Sequence, residues 1–215
     1  MLQTDLTFGY IYRRNAPQNA SLLLLLHGYG SDERDLFHFA AHLPAHYFVA
    51  SIRAPHILPF GGYAWYALTA DAAGKTKFDD AQALESHRGL SKLIDELKVK
   101  HELSDERVVV VGFSQGAAMG YGLALSHPQK IGKIAAMSGY LTPDFMPNPP
   151  KDCVGLKVFI SHGTADAVVP FHLGLQACEL LRGIGIKPEF KCYEHMGHNI
   201  GAASFADMLR FLKTA

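Results

Sequence analysis

The stretch that decides the fold covers residues 108–119 and reads VVVVGFSQGAAM. Its four consecutive valines are typical of a strand that is covered on both faces of a sheet. The small residues after Ser114 open a helical pattern, so a strand, a tight turn and a helix follow one another. Gly112 and Gly116 lie two positions either side of Ser114, where side chains would crowd a sharp turn. The stretch therefore predicts a serine held on a strained strand-to-helix turn.

Other short apolar runs lie on both sides of this unit. They are too short for buried helices, and most are rich in β-branched residues, as in the strands of a parallel sheet. These runs are Leu22–Leu26, Tyr47–Ile52, Ile131–Met137 and Val158–Ile160. Residues 5–14 and 189–193 alternate between apolar and polar side chains, which predicts a half-exposed strand in each segment.

Helical patterns separate the runs. A long helix begins at Asp79 or Asp80 and carries leucine and isoleucine at the helical spacing of positions 90, 93, 94 and 97. Further helices are predicted over residues 115–126, 172–182 and 200–213. Strands that alternate with helices predict an α/β fold with a mostly parallel central sheet and helices on both faces. Because no repeat, linker or break in composition interrupts the pattern, we expect a single domain over residues 1–215.

Composition and charge exclude several classes of function. The chain has 215 residues, and 20 Lys and Arg balance 20 Asp and Glu. Nucleic-acid binding and membrane-surface binding both need a basic face that this balance does not provide. The longest apolar run has five residues, too few for a membrane span, and the first residues lack the pattern of a signal peptide. We therefore expect no nucleic-acid partner, no membrane insertion and a cytoplasmic location.

Ser114 needs a base, because a serine hydroxyl is a weak nucleophile until its proton is accepted. Among the histidines after Ser114, His195 and His198 lie in a loop after the last predicted strand, from which a side chain can reach the carboxyl edge of the sheet. We favour His198 because Gly197 frees the backbone before it and a helix begins after it. His195 remains the alternative.

The orienting acid is predicted at Asp166, which follows the 158–160 strand directly. The carboxyl ends of strands are where open α/β sheets collect their functional groups. A carboxylate there would hold the tautomer of the imidazole and stabilise the imidazolium. The competing acids, Asp144, Asp152 and Asp207, lie in a proline-rich loop, before a strand and within a helix.

Two backbone amides are candidates for stabilising an oxyanion. One belongs to Gln115, directly after Ser114 at the start of a helix. The other belongs to Tyr29, in a glycine-containing loop after the 22–26 strand, where His27 is expected to support the loop.

Aromatic and apolar loop residues are the candidates for substrate binding. The loop over residues 54–78 contributes Trp65 and Tyr66, and the proline-rich loop over residues 141–151 contributes Phe145 and Met146. We expect an acyl group to lie along these side chains.

Metal and cofactor binding find no support in the sequence. His38, His42 and His46 are spaced by four, but Pro44 interrupts the helix that they would share, so we expect an exposed helix face without a metal. The three cysteines are odd in number and lack CxxC spacing, which argues against a disulfide framework or a thiolate zinc site. The glycines near residue 28 lack the third glycine of a dinucleotide loop, and no cofactor is implied.

Seven motifs together resemble the phospholipase/carboxylesterase family of α/β-hydrolases, which includes acyl-protein thioesterases and bacterial carboxylesterases. In chain order they are Leu26-His27-Gly28-Tyr29-Gly30, Arg53-Ala54-Pro55, Gly61-Gly62 before Trp65-Tyr66, Gly112-Phe113-Ser114-Gln115-Gly116, Ser138-Gly139, His162-Gly163-Thr164 with Asp166, and Gly197-His198. The resemblance runs from about residue 20 to the end of the chain. It departs just after the His-Gly-Tyr-Gly segment. Many relatives carry an aspartate soon after that segment, and here Ser31 precedes Asp32.

The resemblance implies a catalytic triad of Ser114, Asp166 and His198, with the Tyr29 and Gln115 amides as the oxyanion hole. It also implies an α/β-hydrolase fold without a large cap, and cleavage of small carboxylic esters through an acyl-enzyme. Lysophospholipids and acyl-thioesters are alternative substrates, and a non-catalytic binding module of the same fold is the rival class. An apolar surface patch could make a homodimer, but no residue pattern indicates one.

Overall fold

A seven-stranded sheet forms the centre of the structure, a computed structural model that describes residues 1–13, 15–70, 76–141 and 153–214. The described strands are β1 (Tyr10–Tyr12), β2 (Ser21–Leu26), β3 (Tyr47–Ile52), β4 (His56–Ile57), β5 (Tyr63–Ala64), β6 (Leu68–Ala70), β7 (Thr76–Phe78), β8 (Val108–Phe113), β9 (Ile131–Met137), β10 (Lys157–Gly163) and β11 (Glu189–Tyr193). The described helices are α1 (Asp80–Lys100), α2 (Gln115–Ser126), α3 (Phe171–Gly183) and α4 (Ala202–Lys213), with a 3-10 helix over Leu36–Phe39.

The strand order of the main sheet is β1-β3-β2-β8-β9-β10-β11. β1 is antiparallel to β3, and every other neighbouring pair is parallel. Because parallel strands end at the same edge, the loops that follow β2, β8 and β10 come together there. The predicted mostly parallel sheet is confirmed, and so is the strand predicted over residues 189–193, which lies at one edge.

The sheet has a hydrophobic core on each face. In β2, Leu22, Leu24 and Leu26 pack with side chains of α1, α2 and α3, whereas Leu23 and Leu25 pack with side chains of α4 and the 3-10 helix. All five leucines are at most 1% exposed. The run is continuously apolar because successive side chains point to opposite faces and both faces are covered. Helices on both faces are thus confirmed.

Helix α1 begins where the sequence places it. The Asp79 carboxylate accepts a hydrogen bond from the Gln82 backbone N–H at 3.0 Å, as a helix N-cap does. The residues at positions 90, 93, 94 and 97 are buried along the face that meets the core. Of the two predicted caps, Asp79 is the one that the structure uses.

Two small hairpins, β4–β5 and β6–β7, lie between β3 and α1. The first is tied to the loop after β2, because Gly30 N–H donates to the Tyr63 carbonyl at 2.9 Å and Tyr63 N–H donates to the Ser31 carbonyl at 2.8 Å. In the part of this insertion that the structure describes, no helix forms, in keeping with the absence of a large cap.

Two predictions about the first fifty residues are wrong. The strand predicted over residues 5–14 is limited to β1, because the Thr7 backbone N–H and hydroxyl both bind the Glu96 carboxylate of α1 and bend the chain. The histidines at positions 38, 42 and 46 are exposed as expected, but they do not share a helix, since the 3-10 helix ends at Phe39. None of the described helices is long and apolar enough to cross a membrane.

Candidate active site

Ser114 lies at the turn between β8 and α2 in a backbone conformation that few residues adopt. Its φ is 54° and its ψ is −120°, and its side chain is nearly buried. A non-glycine residue in such a conformation costs about 1–3 kcal/mol and persists only where the surroundings enforce it. The turn therefore has the geometry of a nucleophile elbow, with Ser114 at the amino end of a helix.

Steric contact explains why glycine stands on both sides of this turn. A Cβ atom on Gly116 would lie 2.0 Å from the Leu26 carbonyl oxygen, and one on Gly112 would lie 2.4 Å from the Gly116 carbonyl oxygen. No side chain fits at these distances, since the clashing atoms belong to the backbone. The two glycines let α2 pack directly against the end of β2.

His198 and Asp166 form a hydrogen-bonded pair. His198 Nδ1 lies 2.8 Å from Asp166 Oδ2. The Val168 and Val169 backbone N–H groups donate to the other carboxylate oxygen, Oδ1, at 3.0 and 2.8 Å. A carboxylate can only accept, so Nδ1 of His198 carries a proton and, in the neutral ring, Nε2 keeps a free lone pair.

The loops that carry Asp166 and His198 are tied to each other through their backbones. Thr164 N–H donates to the Tyr193 carbonyl at 3.0 Å, and Ala165 N–H donates to the Met196 carbonyl at 3.1 Å. A Cβ on Gly163 would lie 2.0 Å from the Met196 carbonyl oxygen, so this approach requires glycine. The carboxylate and the imidazole meet because these two chain segments are in contact.

His195, the alternative base, occupies an exposed position in the same loop. Its backbone N–H donates to the Thr164 hydroxyl at 3.1 Å, and its ring has no carboxylate partner among the described residues. Of the competing acids, Asp207 accepts the Tyr193 hydroxyl and an Arg210 N–H. Asp144 and Asp152 lie outside the described residues.

A second histidine, His162, lies behind Asp166, and no role was predicted for it. It is fully buried, its Nε2–H donates to the Val169 carbonyl at 2.8 Å, and Nε2 lies 3.6 Å from Asp166 Oδ2. Burial lowers the pKa of His162, which keeps the ring neutral. Val169 thus accepts from His162 and donates to Asp166. The only sequence signal was a His-Gly pair at the end of a buried strand.

The Tyr29 and Gln115 backbone N–H groups have no hydrogen-bond acceptor among the described residues. Gln115 also organises its surroundings with its side chain. Its Oε1 accepts the Trp65 backbone N–H at 2.9 Å, and its Nε2–H donates to the Tyr66 carbonyl at 2.8 Å. The amide that follows Ser114 therefore belongs to a residue with a fixed position.

His27 fixes the loop that carries Tyr29. The ring Nε2 accepts the Ala54 backbone N–H at 3.1 Å, so Nδ1 carries the proton and donates to the Gly28 carbonyl at 2.8 Å. Burial lowers the pKa of His27, and the neutral form is the one that these two bonds require. These contacts agree with the expectation that His27 supports the loop after β2.

One cavity of about 650 Å³ brings the predicted residues together. Ser114, His198, Gln115 and Tyr29 all line it, and Asp166 lies buried behind the imidazole. The Ser114 hydroxyl and His198 Nε2 have no hydrogen-bond partner within the described residues, and such pairs are often long before a substrate binds. The rest of the described wall is largely apolar and includes Leu68, Phe78, Tyr140, Leu141, Val168 and Leu173.

Comparison with known proteins agrees with this geometry. The family model described as Phospholipase/Carboxylesterase matches residues 11–215. The chain belongs to this family.

Individual members of the phospholipase/carboxylesterase family are similar over much of the chain. Acyl-protein thioesterase 1 of Saccharomyces cerevisiae is 28% identical over 170 residues, which cover 74% of this chain and 72% of that protein. A probable inactive carboxylesterase of Oryza sativa is 30% identical over 124 residues, which cover 57% of this chain and 50% of that protein. The crystal structure of a carboxylesterase from Mesorhizobium loti superposes with a TM-score of 0.85 at 24% identity, over 100% of this chain and 99% of that one, and shows the α/β-hydrolase fold.

Two residues of this chain that were predicted to bind the substrate lie outside the cavity. Trp65 and Tyr66 are fully buried in the core and do not line the cavity. Trp65 Nε1–H donates to the His27 carbonyl at 2.9 Å, so the indole supports the loop after β2 from behind. The prediction failed because an aromatic-rich loop pattern does not tell a pocket wall from a core. Phe145 and Met146 lie outside the described residues.

Proposed function

We propose that this protein is a serine hydrolase that cleaves carboxylic esters through an acyl-enzyme intermediate. One observation carries the proposal. Ser114, on a strained turn, and His198, bonded to the buried Asp166, line the same cavity. A nucleophile, a base and an orienting acid in this relation are what acyl transfer by serine requires.

Acylation would begin when the Ser114 Oγ attacks the ester carbonyl carbon while His198 Nε2 takes the hydroxyl proton. Negative charge then develops on the carbonyl oxygen, and the free Tyr29 and Gln115 N–H groups would donate to it. Prearranged donors of this kind are typically the largest single contribution to such catalysis. The tetrahedral intermediate collapses when the alcohol leaves with the proton from His198.

Deacylation would use the same groups in the same order. His198 takes a proton from water, the resulting hydroxide attacks the acyl carbon, and a second tetrahedral anion forms at the same amides. Ser114 leaves with the proton and the carboxylic acid is released. Asp166 stabilises the imidazolium in both halves without becoming protonated.

An acyl-thioester or a lysophospholipid is the second candidate substrate. The apolar wall of the cavity supports an acyl chain as ligand, and the yeast relative carries the name of an acyl-protein thioesterase. The steps at Ser114 are the same for a thioester, except that a thiol leaves in place of an alcohol.

The rival function is a binding module without catalysis, since one relative is named as inactive. A fluorophosphonate probe separates the two, because it reacts only with an activated serine, whose Oγ displaces fluoride at phosphorus. We expect one adduct on the intact protein by mass spectrometry and none on Ser114→Ala. An unlabelled native protein would favour the binding module.

Hydrolysis of p-nitrophenyl esters from acetate to palmitate tests the proposed activity and the acyl length together. We expect turnover that Ser114→Ala loses almost completely while its melting temperature is retained. A maximum at short chains would indicate a general carboxylesterase, and a maximum at eight carbons or more would favour lipid or thioester substrates. Turnover that survives in Ser114→Ala would exclude the assignment.

A further inference from the structure

A second cavity also borders the His198 side chain. It has a volume of about 260 Å³ and meets the larger cavity at three shared residues, Asp35, Phe113 and His198. The Phe113 and His198 rings pack together with their centroids 4.8 Å apart. His198 therefore borders two cavities, and an ester needs two spaces because its acyl part and its alcohol part extend from the reacting carbon in different directions.

The two sides differ in polarity. The described wall of the larger cavity is mostly apolar, whereas the smaller one combines His38 and Asn199 with apolar side chains, and Asp35 lines both. An open groove lined by Asp32, Arg34, Asp35 and His38, among others, continues outward from it. Asp35 is common to all three spaces, so it lies where the Ser114 cavity, the smaller cavity and the open groove adjoin.

Among the described residues that line the groove, two carboxylates, Asp32 and Asp35, accompany one guanidinium, Arg34. The groove therefore carries a net negative charge. Glu33 is buried and forms a two-bond ion pair with Arg53, at 2.6 and 2.8 Å, so these charges compensate each other. Arg34 is exposed and lies 3.8 Å from the same Glu33 carboxylate. Within the described part of the chain, the Asp32 carboxylate accepts a hydrogen bond only from the backbone N–H of Arg34.

Asp35 is the carboxylate that reaches the reaction space. Its side chain is partly buried and has no hydrogen bond or ion pair among the described residues, while its backbone carbonyl contacts the His38 ring. A carboxylate in a partly closed site attracts cations more strongly than one in open water. The Phe113 ring beside it adds an aromatic face, which also favours cations.

We propose that the Asp35 side of the site receives the alcohol part of the substrate and selects small esters whose alcohol carries a positively charged amine. This inference rests on the proposed esterase function and specifies its substrate class. Asp35 acts as a specificity-determining residue, because its charge attracts a positively charged leaving group and does not attract a neutral one of the same shape.

Two butyrate esters of nearly equal shape test this inference. Butyrylcholine carries a quaternary ammonium, and 3,3-dimethylbutyl butyrate carries a neutral carbon in its place. Both give the same butyryl-enzyme, so deacylation is identical and a preference for the cation appears in kcat/KM, which reports acylation. We expect the native protein to prefer butyrylcholine by about three- to fivefold, the effect of one partly exposed charge pair.

Asp35→Asn should bring the ratio of the two kcat/KM values close to one, because the loss falls mainly on butyrylcholine. Asp105→Asn is the matched control, because Asp105 is exposed just before β8, at the opposite end of the sheet. It removes the same charge and should keep the preference. Raising the salt concentration from 0.01 to 0.5 M should reduce the preference of the native protein toward that of Asp35→Asn.

Equal rates for the two esters in the native protein, or an unchanged ratio in Asp35→Asn, would overturn the inference. A parallel loss with both esters would show that Asp35 is needed for structure and not for selection, and would equally overturn it. If neither ester nor p-nitrophenyl butyrate is hydrolysed, the proposed function itself fails. Hydrolysis of the neutral ester without any cation preference leaves the proposed function standing and removes only this inference.

Discussion

The turn that carries Ser114 and the loops that carry Asp166 and His198 meet at one cavity, but different forces hold them. The turn is set by backbone packing, because Gly112 and Gly116 have no room for a side chain. The loops are set by hydrogen bonds between residues far apart in the chain, such as the one between Asp166 and His198 at 2.8 Å. A short motif can encode the first kind of site, whereas the second depends on the completed fold.

This difference predicts different failures. Damage to the turn should affect folding and activity together, since the same atoms form the core. Damage to the loops should affect activity first, because they lie at the edge of the sheet and contribute little to the core.

The largest effect is expected for Gly116→Ala. Its Cβ would lie 2.0 Å from the Leu26 carbonyl oxygen, and neither backbone segment can move without opening the core. We expect a loss of several kcal/mol in the free energy of unfolding, a large part of the usual total. The matched control is Gly183→Ala at the end of α3, where no atom of the described residues lies within 4 Å of the new Cβ. Urea denaturation should show a native-like midpoint for the control, and a native-like midpoint for Gly116→Ala would contradict the packing argument.

Asp166→Asn should separate activity from folding. The amide keeps the shape of the side chain but favours the wrong imidazole tautomer, so kcat should fall by about 10⁴ while the melting temperature changes little. Asp207→Asn serves as the control, because Asp207 binds Tyr193 and Arg210 away from the cavity. A reduction of less than tenfold in Asp166→Asn would remove Asp166 from the orienting role.

A buried histidine between α1 and α2 should make stability depend on pH. His87 of α1 packs against Gly122 of α2, and burial lowers its pKa to about 4. The unfolded chain binds this proton near pH 6.5, so the free energy of unfolding falls as the pH drops from about 6.5 to about 4. Between pH 7 and 5 this one group accounts for about 2 kcal/mol.

His87→Gln should therefore lose less stability over that interval than the native protein, as measured by urea denaturation at both pH values. His172→Gln, which replaces an exposed histidine of α3, provides the comparison. Equal pH dependence in native protein and His87→Gln would mean that other groups, such as the buried His27 and His162, account for it.

The smallest effect is expected behind the loops, at His162. Without its donor to the Val169 carbonyl, the segment that presents two N–H groups to Asp166 should relax. His162→Leu should lower kcat about tenfold and change KM less, because the hydrogen bond that it removes orients Asp166 and does not bind the substrate directly. His162→Gln, which can still donate, should recover part of the loss. A change confined to KM, or a loss of folded protein in both variants, would refute a positioning role.

The sequence predicted the central strands, because a strand buried on both faces must be apolar at every position. It also placed Ser114, Asp166 and His198 at strand ends that do come together, although their catalytic roles stay predictions. It could not tell that Trp65 and Tyr66 face the core, since aromatic rings suit a core and a pocket equally well. It also missed the bend at Thr7, because the Glu96 carboxylate that causes it lies 89 residues away.

The strained backbone at Ser114 has a consequence for how such a protein changes over generations. Glycine would adopt the same φ of 54° without the penalty that serine incurs. A chain no longer selected for catalysis could therefore replace Ser114 by glycine and become more stable by doing so. Replacement of the nucleophile would therefore raise the stability of the fold. The reverse change to serine would restore the strain and lower that stability before any gain in activity could offset it.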